Sequence, residues 1–453
     1  MGAKDKRLAI LVGGGPAPGI NSVIGAATIR GILSGADVIG LRDGFKHIMR
    51  GNIDNITPLS IKKVSRIHFR GGSFIGIARD NPTKEKKHLE NTVTSLLRLN
   101  VNKLITIGGD DTAYSAYRVQ QIAENRISVV HVPKTIDNDL DLPHGSSTFG
   151  FQTARHIGVD IVKNIMVDAK TTTRWYFVIT MGRKAGHLAL GIGKSAGATL
   201  TLIPEEFKEK KVSMNKIVDI LVGAIIKRIS YDRPDGVAII AEGLVEHLDE
   251  ADLQELVDVE RDEYDNIRIA EINFGEILKY KVQKRLKDFD VKMTIVAKNI
   301  GYELRCADPI PFDMEYCRDL GFMAAKFLFD GGSGALVSFQ DGRFVPMYFK
   351  DILDPKTKRM KVRMVDISSE SYYIANRYMI RLRKEDFDDP HELARFAATA
   401  NISLKEFRKQ FYYLVEDLEE NGTAPDGYAL QKAQTIQENL RKPIDKRTNK
   451  VKK

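Results

Sequence analysis

Two short acidic motifs carry the side chains of this chain that are most suited to chemistry. The sequence GGDDT occupies residues 108–112, and PKTIDND occupies residues 133–139; each follows an apolar, β-rich run. Such runs, bounded by glycine or proline and separated by a helical interval, predict a βαβ unit. Both motifs should therefore lie at the carboxyl ends of parallel strands, which is where open α/β sheets bind their ligands.

The residue types in the two motifs point to magnesium-assisted phosphoryl transfer. Gly108 and Gly109 let a polyphosphate approach the backbone without a Cβ in the way. Asp110 is a hard oxygen ligand, and Mg²⁺ usually takes one or two carboxylates plus phosphate oxygens. Asp137 can accept the proton of an attacking hydroxyl, as the catalytic-loop aspartate of kinases does. Either motif alone is also typical of an acidic turn, but two of them after successive strands favour a site.

The arrangement of the second motif follows from strand geometry. In an extended segment, successive side chains point to opposite faces. This predicts that Thr135, Asp137 and Asp139 share one side, while Ile136 and Asn138 face the other.

A glycine-rich segment near the amino terminus adds a third candidate phosphate-binding element. The sequence GGGPAPGIN at residues 13–21 lies between a buried-strand pattern at residues 7–12 and a predicted helix from about residue 21 to 33. A strand, a glycine-rich turn and a helix start form an anion site, because unpaired N–H groups point at the ligand. The segment is not the dinucleotide fingerprint, which requires glycine where Pro18 stands.

Taken together, these motifs resemble those of the phosphofructokinase family. The matches run in the family's order from residue 8 to about residue 345, roughly three quarters of the chain. They comprise the glycine-rich segment, GGSFIGIAR at residues 71–79, GGDDT, PKTIDND, MGR at 181–183, AEG at 241–243 and GYELR at 301–305. The resemblance implies an α/β fold of two Rossmann-like three-layer lobes with mostly parallel sheets, plus a helical C-terminal extension.

The resemblance also implies roles for individual residues. Asp137 would be the base that deprotonates the sugar 1-hydroxyl, with Asp111, Lys134 and Arg183 as further catalytic groups, and Asp110 would hold Mg²⁺. Pyrophosphate would lie against Gly15, Arg79 and Gly109. The residues around fructose 6-phosphate would be Thr135, Ile136, Met181, Gly182, Glu242, Tyr302 and Arg305. Arg174 would reach the sugar phosphate of a neighbouring subunit, which implies a homodimer or homotetramer.

Two side chains bear on the phosphoryl donor. ATP-dependent bacterial members of the family typically have glycine at the positions of Asp111 and Lys134. A carboxylate at position 111 adds bulk and negative charge where the α-phosphate of ATP would lie. At about 4 Å and an effective dielectric near 20, two like charges repel by roughly 4 kcal/mol. Lys134 supplies a cation suited to a compact phosphate, so the pair favours pyrophosphate as donor.

Three alternatives stay open at the level of the sequence. The protein could be an ATP-dependent phosphofructokinase that tolerates Asp111. It could instead bind phosphosugars without turnover, although the intact set of Asp110, Asp137 and Asp139 argues against this. The same chemistry could also act on sedoheptulose 7-phosphate, since the added carbon needs only space.

Composition sets limits on the class of protein. With 453 residues, of which 43% are hydrophobic, the chain can bury cores for two or three domains. The net charge of +9 is spread along the chain without a zinc-ligand spacing or an aromatic RNA-binding signature, so nucleic acid is not the expected partner. We expect no membrane span, because no apolar run reaches about 18 residues. Two isolated cysteines and the lack of a signal peptide indicate the cytoplasm.

The expected division of the chain follows the strand–helix alternation. Residues 1–150 would form the donor-binding lobe, completed by about residues 304–345, and residues 151–303 the sugar-phosphate-binding lobe. Residues 346–453 would form a mainly helical extension, with helices near residues 391–400, 404–420 and 427–441. A turn at residues 340–343 predicts a hairpin.

Overall fold

Two mostly parallel β-sheets organise the chain. The computed structural model describes residues 7–142, 146–207, 211–255, 273–352 and 361–416. The first sheet contains β1 (Arg7–Val12), β2 (Asp37–Leu41), β3 (Ile56–Pro58), β4 (Lys103–Gly108), β5 (Ser128–Thr135), β6 (Phe149–Gly150), β11 (Ala335–Gln340) and β12 (Arg343–Tyr348). Its strand order is β12-β11-β5-β4-β1-β2-β3, with β6 paired to the end of β5. The strands β2–β3 and β11–β12 pair antiparallel, and the other neighbours pair parallel.

The second sheet is smaller and entirely parallel. It contains β7 (Trp175–Thr180), β8 (Leu200–Leu202), β9 (Gly236–Ala241) and β10 (Ile295–Ile300), in the order β10-β7-β9-β8. The chain thus completes the first sheet with strands that follow the second sheet in sequence. It stays a prediction that the first lobe binds the donor and the second binds the sugar phosphate, with the boundaries given above.

Helices connect and cover these strands. In chain order they are α1 (Ile20–Leu33), α2 (Ile61–Val64), α3 (Lys86–Arg98), α4 (Asp110–Ala123), α5 (Phe151–Thr172), α6 (His187–Ala196), α7 (Met214–Ser230), α8 (Glu250–Glu255), α9 (Phe274–Lys287), α10 (Tyr302–Arg305), α11 (Pro311–Phe329), α12 (Phe349–Ile352), α13 (Glu370–Tyr378), α14 (Lys384–Asp388), α15 (Pro390–Thr399), α16 (Leu404–Phe411) and α17 (Tyr413–Glu416). Among the described residues, no helix is both long and apolar enough to cross a membrane.

Strand β1 shows why the apolar runs become buried parallel strands. Leu8 and Ile10 belong to the core that contains residues of α1 and α11, whereas Ala9 and Leu11 belong to the core that contains residues of α3 and α4. A parallel strand with helices on both faces needs apolar side chains at every position. The first sheet is therefore the middle of three layers, as the family resemblance implies.

The hairpin predicted at residues 340–343 is confirmed. Gln340 pairs with Arg343 in the antiparallel ladder, so Asp341 and Gly342 form a two-residue turn. Their φ values of 49° and 72° are both positive, which is what a type I′ hairpin turn requires and why Asp-Gly favours it.

The described part of the extension is mainly helical and packs on the second sheet's side of the molecule. Phe396 and Phe407 are fully buried in the same core as Trp175 of β7. The prediction of one helix over residues 404–420 is wrong, because the helix is interrupted at Tyr412 between α16 and α17. Its last four residues, and the helix predicted at 427–441, lie outside the described residues.

Candidate active site

A cleft opens at the carboxyl ends of β4 and β5, where the two acidic motifs lie. These strands pair in parallel, and Gly108 of β4 is opposite Pro133 of β5. The cleft holds about 640 Å³ of space, including its open mouth. Its lining comprises Gly14, Gly15, Pro16, Arg79, Gly109, Asp110, Asp111, Thr112, Lys134, Thr135, Ile136, Asp137, Asp139, Arg183 and Arg305. The expectation that GGDDT and PKTIDND meet at one sheet edge is thus confirmed.

Glycines let the loops of the cleft approach one another. A Cβ on Gly108 would lie 2.4 Å from the Thr112 Oγ1, and one on Gly13 would lie 2.6 Å from the same oxygen. Gly14 adopts a left-handed φ of 83°, beside the ammonium group of Lys134. The amino-terminal turn and the start of α4 can therefore present their backbone to one ligand.

Lys134 is a buried cation at the base of this cleft. Its side chain is 5% exposed, and its Nζ donates a hydrogen bond to the carbonyl of Gly15 at 2.5 Å. Burial, together with the guanidinium groups of Arg305 and Arg183, lowers the pKa of Lys134 to about 7. An anion bound beside Nζ would raise that pKa again and stabilise the charged ammonium.

Carboxylates surround the guanidinium group of Arg183, another cation of the cleft. Its Nη1 lies 3.7 Å from Asp110 Oδ1, and its Nε lies 3.9 Å from Asp137 Oδ2. Withdrawal from water would lower the pKa of Arg183, but the carboxylates of Asp110, Asp137 and Asp139 raise it overall. Burial and the neighbouring Asp137 raise the pKa of Asp139 to about 7. The cleft therefore holds a dense cluster of opposite charges in which one carboxyl group is readily protonated.

The backbone around Asp137 departs from simple alternation. Strand β5 ends at Thr135, and Asn138 takes a left-handed φ of 57°. Ile136 borders the cleft beside Thr135 and Asp137, and its buried side chain belongs to the hydrophobic core; that this side chain faces away from the site stays a prediction. Asp137 Oδ1 is buried and has no hydrogen-bond partner among the described residues. That oxygen is ready to accept a proton or to face a cation.

Glu242 does not line the cleft but organises the loop that carries Arg183. Its Oε1 accepts hydrogen bonds from the backbone N–H groups of Gly182 at 3.0 Å and of Arg183 at 2.8 Å. Burial raises the pKa of Glu242 to about 7, although the two backbone hydrogen bonds oppose the rise. Glu242 thus holds the backbone of the loop at Gly182 and Arg183.

Three further residues that the sequence places at the site are not among those that line this cleft, and their roles stay predictions. Met181 is buried against Gly301, where a Cβ would lie 2.9 Å from the Met181 side chain. Tyr302 is 60% exposed, with the Arg305 guanidinium over its ring. Arg174 precedes β7 and lies 3.9 Å from Asp168. Because Arg183 follows the other end of β7, about 20 Å of strand separates the two arginines.

The structure adds two residues that sequence reasoning missed. His131 lies under the GGDDT turn, where its Nε2 is 3.0 Å from the carbonyl of Gly108 and its Nδ1 is 2.8 Å from Thr106 Oγ1. A carbonyl only accepts, so Nε2 carries the proton and Thr106 donates to Nδ1. Arg363 contacts the carbonyl of Asn138 from the extension. Neither residue belongs to a motif, so the sequence gives no signal for them.

Parallel sheets whose strand ends form a cleft of glycines, carboxylates and cations are typical of α/β phosphotransferases. Residues 7–328 match the family model described as Phosphofructokinase. Because that match spans well over half of the chain, the protein belongs to the phosphofructokinase family.

Two relatives agree with this assignment, and a solved structure is similar in fold. A relative from Thermotoga maritima, named pyrophosphate–fructose 6-phosphate 1-phosphotransferase, is 50% identical over 91% of this chain and 99% of its own length. A relative of the same name from Naegleria fowleri is 48% identical over 90% of this chain and 96% of its own length. The crystal structure of a pyrophosphate-dependent phosphofructokinase from Marinobacter aquaeolei is similar in fold, with a TM-score of 0.63 at 15% identity over 88% of this chain and 92% of that one.

The buried His131 should make stability depend on pH. Burial lowers its pKa to about 3, whereas in the unfolded chain it is about 6.5. The unfolded state therefore binds the extra proton first, so that the free energy of unfolding falls as pH drops below about 6.5. From pH 7 to 5 this one group should remove about 2 kcal/mol.

His131→Gln keeps a donor and an acceptor but does not titrate. Denaturant unfolding at pH 7 and pH 5 measures how far the free energy of unfolding falls between the two. In His131→Gln this fall should be about 2 kcal/mol smaller than in the wild type. The control is His156→Gln, whose side chain is 56% exposed in the native protein and whose replacement should keep the wild-type loss. An equal fall in the free energy of unfolding in the wild type and in His131→Gln would show that His131 is not held neutral.

Proposed function

We propose that this protein transfers a phosphoryl group from pyrophosphate to the 1-hydroxyl of fructose 6-phosphate, giving fructose 1,6-bisphosphate and phosphate. The observation that carries this proposal is the joint presence of Asp111 and Lys134 in the cleft that also contains Asp110 and Asp137. The names of the relatives at 50% and 48% identity, which align over nearly their whole length, support the same reaction.

Asp137 is the proposed general base. Its side chain is 8% exposed, and Oδ1 has no hydrogen-bond partner among the described residues. A hydroxyl group placed against that oxygen would satisfy it and give up its proton to it as the phosphoryl group is transferred. Arg183, near both Asp137 and Asp110, would stabilise charge on the transferred group.

A magnesium ion fits the acidic side of the cleft. Asp110 is at the start of α4, and the orphaned Asp137 Oδ1 and the carboxyl group of Asp139 lie nearby. No cluster of three or more His, Cys, Asp or Glu side chains is arranged to hold a metal in the described part of the chain. This agrees with an ion held by one or two carboxylates plus substrate phosphate oxygens. When bound, Mg²⁺ would neutralise charge on the donor phosphates, with Asp110 as its principal protein ligand.

The donor side is matched to a compact polyanion. Pyrophosphate brings no adenosine, so its affinity must come from charge: from Lys134 and Arg79, helped by the glycine-rich backbone around Gly15. Asp111 lies in the first turn of α4 and lines the same cleft. With pyrophosphate bound in this cleft as proposed, the Asp111 carboxylate would repel the additional phosphate of a nucleotide by charge as well as by volume.

The acceptor side is built by loops of the second sheet. Arg183 lies on the loop that Glu242 holds, and Arg305 lines the cleft near Gly15. We infer that Thr135 and Ile136 contact the sugar and that Arg174, remote from this chain's own cleft, completes the sugar-phosphate site of a neighbouring subunit. The active form would then be a homodimer or homotetramer.

The free cysteines of the protein, Cys306 and Cys317, suit a reducing cytoplasm.

Asp137→Asn tests the base, because the amide keeps the size and polarity of the side chain but cannot take a proton. We expect kcat to fall by about 10² to 10⁴ with a modest change in KM, measured with fructose 6-phosphate, pyrophosphate and Mg²⁺. Asp141→Asn, an exposed carboxylate of the same segment, is the matched control and should keep wild-type kcat. Retention of more than about a tenth of kcat in Asp137→Asn would rule out the base assignment.

Asp111→Gly tests the donor. Removing charge and bulk should raise kcat/KM with ATP and lower it with pyrophosphate, while Asp111→Asn separates the charge from the volume. Combining Asp111→Gly with Lys134→Gly should deepen the pyrophosphate loss non-additively, because both side chains face the same phosphates. The donor assignment is wrong if the wild type prefers ATP, or if Asp111→Gly gains no activity with it.

Arg174→Ala tests the shared site. It should raise KM for fructose 6-phosphate, since an arginine–phosphate contact is bidentate and strong, whereas Lys170→Ala, a nearby exposed cation, should not. Analytical ultracentrifugation during turnover should show a dimer or tetramer. A fully active monomer would contradict the shared site.

A further inference from the structure

A segment of the extension, residues 361–367, runs across the loop that carries Asp137. We call these residues the strap. It follows the part of the chain matched by the family model, which ends at residue 328. Val362 forms an antiparallel bridge with Leu140, and the backbone N–H of Arg363 donates to the carbonyl of Asp139 at 2.8 Å. The strap therefore pairs directly with the chain that follows the base.

The Arg363 side chain fixes this loop through its guanidinium group. Its Nε and Nη2 donate to the carbonyl of Asn138 at 3.1 and 3.0 Å, and Nη2 also donates to Asn138 Oδ1 at 2.5 Å. Its Nη1 donates to the carbonyl of Ser146 at 2.8 Å. One planar group thus satisfies three acceptors on two stretches of the loop, an arrangement for which the rigid fork of arginine is suited and the single ammonium of lysine is not.

These bonds are made where the backbone takes a left-handed turn. Asn138 has a φ of 57°, a left-handed conformation that asparagine adopts more readily than most non-glycine residues. Asn138 Oδ1 also accepts from the backbone N–H of Thr148 at 3.0 Å. Because Asp137 is the preceding residue, the direction of its carboxylate depends on how this conformation is held.

The other edge of the strap is tied to loops of the second sheet. His187 Nε2, at the start of α6, donates to the carbonyl of Arg363 at 3.1 Å. Glu205 Oε1 accepts from the backbone N–H of Val365 at 2.9 Å and from that of Gly186 at 2.9 Å. Gly186 and His187 follow the loop that carries Arg183. The strap thus connects the base loop of the first sheet with the Arg183 loop of the second.

We propose that Arg363 is a positioning residue for the general base, and that the strap sets the placement of Asp137 relative to Arg183. This inference rests on the proposed function, because it gives Arg363 its role through Asp137. Arg363 touches neither substrate; it acts by holding Asn138 and Asp139. A displacement of about 1 Å at a reacting group can cost about 10²-fold in rate, so a loosened loop should lower turnover even when both substrates still bind.

The test compares Arg363→Met and Arg363→Lys with the control Arg377→Met. Arg377 lies in the same extension, is exposed, and pairs only with the exposed Glu385 among the interactions described. For Arg363→Met we expect kcat per folded enzyme to fall by about 10- to 100-fold, with KM for pyrophosphate changing less than about twofold. Arg363→Lys should recover little, and Arg377→Met should retain wild-type kcat.

Hydrogen exchange of the peptide that covers residues 136–142 gives a readout that does not depend on turnover. Arg363→Met should speed exchange there, and Arg377→Met should not. Unchanged kcat per folded Arg363→Met enzyme, or a loss confined to KM, overturns the positioning role. If the wild type itself shows no turnover with pyrophosphate and fructose 6-phosphate, the proposed function fails, while the exchange result still tells whether the strap holds the loop.

Discussion

Charge balance among side chains that share one cleft is the constraint on which this site depends. Four carboxylates, those of Asp110, Asp111, Asp137 and Asp139, face the same space as Lys134 and three arginines. Two like charges about 4 Å apart repel by roughly 4 kcal/mol at an effective dielectric near 20. The cations offset part of this repulsion, and burial together with the neighbouring Asp137 raises the pKa of Asp139 to about 7. Phosphates and a divalent cation would complete the balance.

The fold meets this constraint by bringing loops from distant parts of the chain to one edge. Parallel pairing of β4 and β5 aligns the two acidic motifs, and glycines such as Gly108 allow the approach that side chains would block. Polar side chains outside the cleft then hold the loops. His131 supports the GGDDT turn, Glu242 supports the Arg183 loop, and Arg363 supports the base loop. Preorganisation of this kind is what phosphoryl transfer chiefly requires of a protein.

The extension contributes to both stability and geometry. Its aromatic side chains, including Phe396 and Phe407, enter the core of the second sheet, so the residues beyond the family match are integral to the fold. The strap lies between the base loop of the first sheet and the Arg183 loop of the second. A change in how those helices pack could thus reach Asp137 through Arg363 without touching a substrate.

The sequence by itself determined the strands, the ligand-binding edge and most of the cleft, because strand β1, the two acidic motifs and the Asp341–Gly342 turn carry strong local patterns. Tertiary structure decided what local pattern cannot encode. The left-handed φ of Asn138 ends the extended alternation directly after Asp137. Arg363 reaches Asn138 across more than two hundred residues, and a contact between positions so far apart depends on how the sheets and the extension pack.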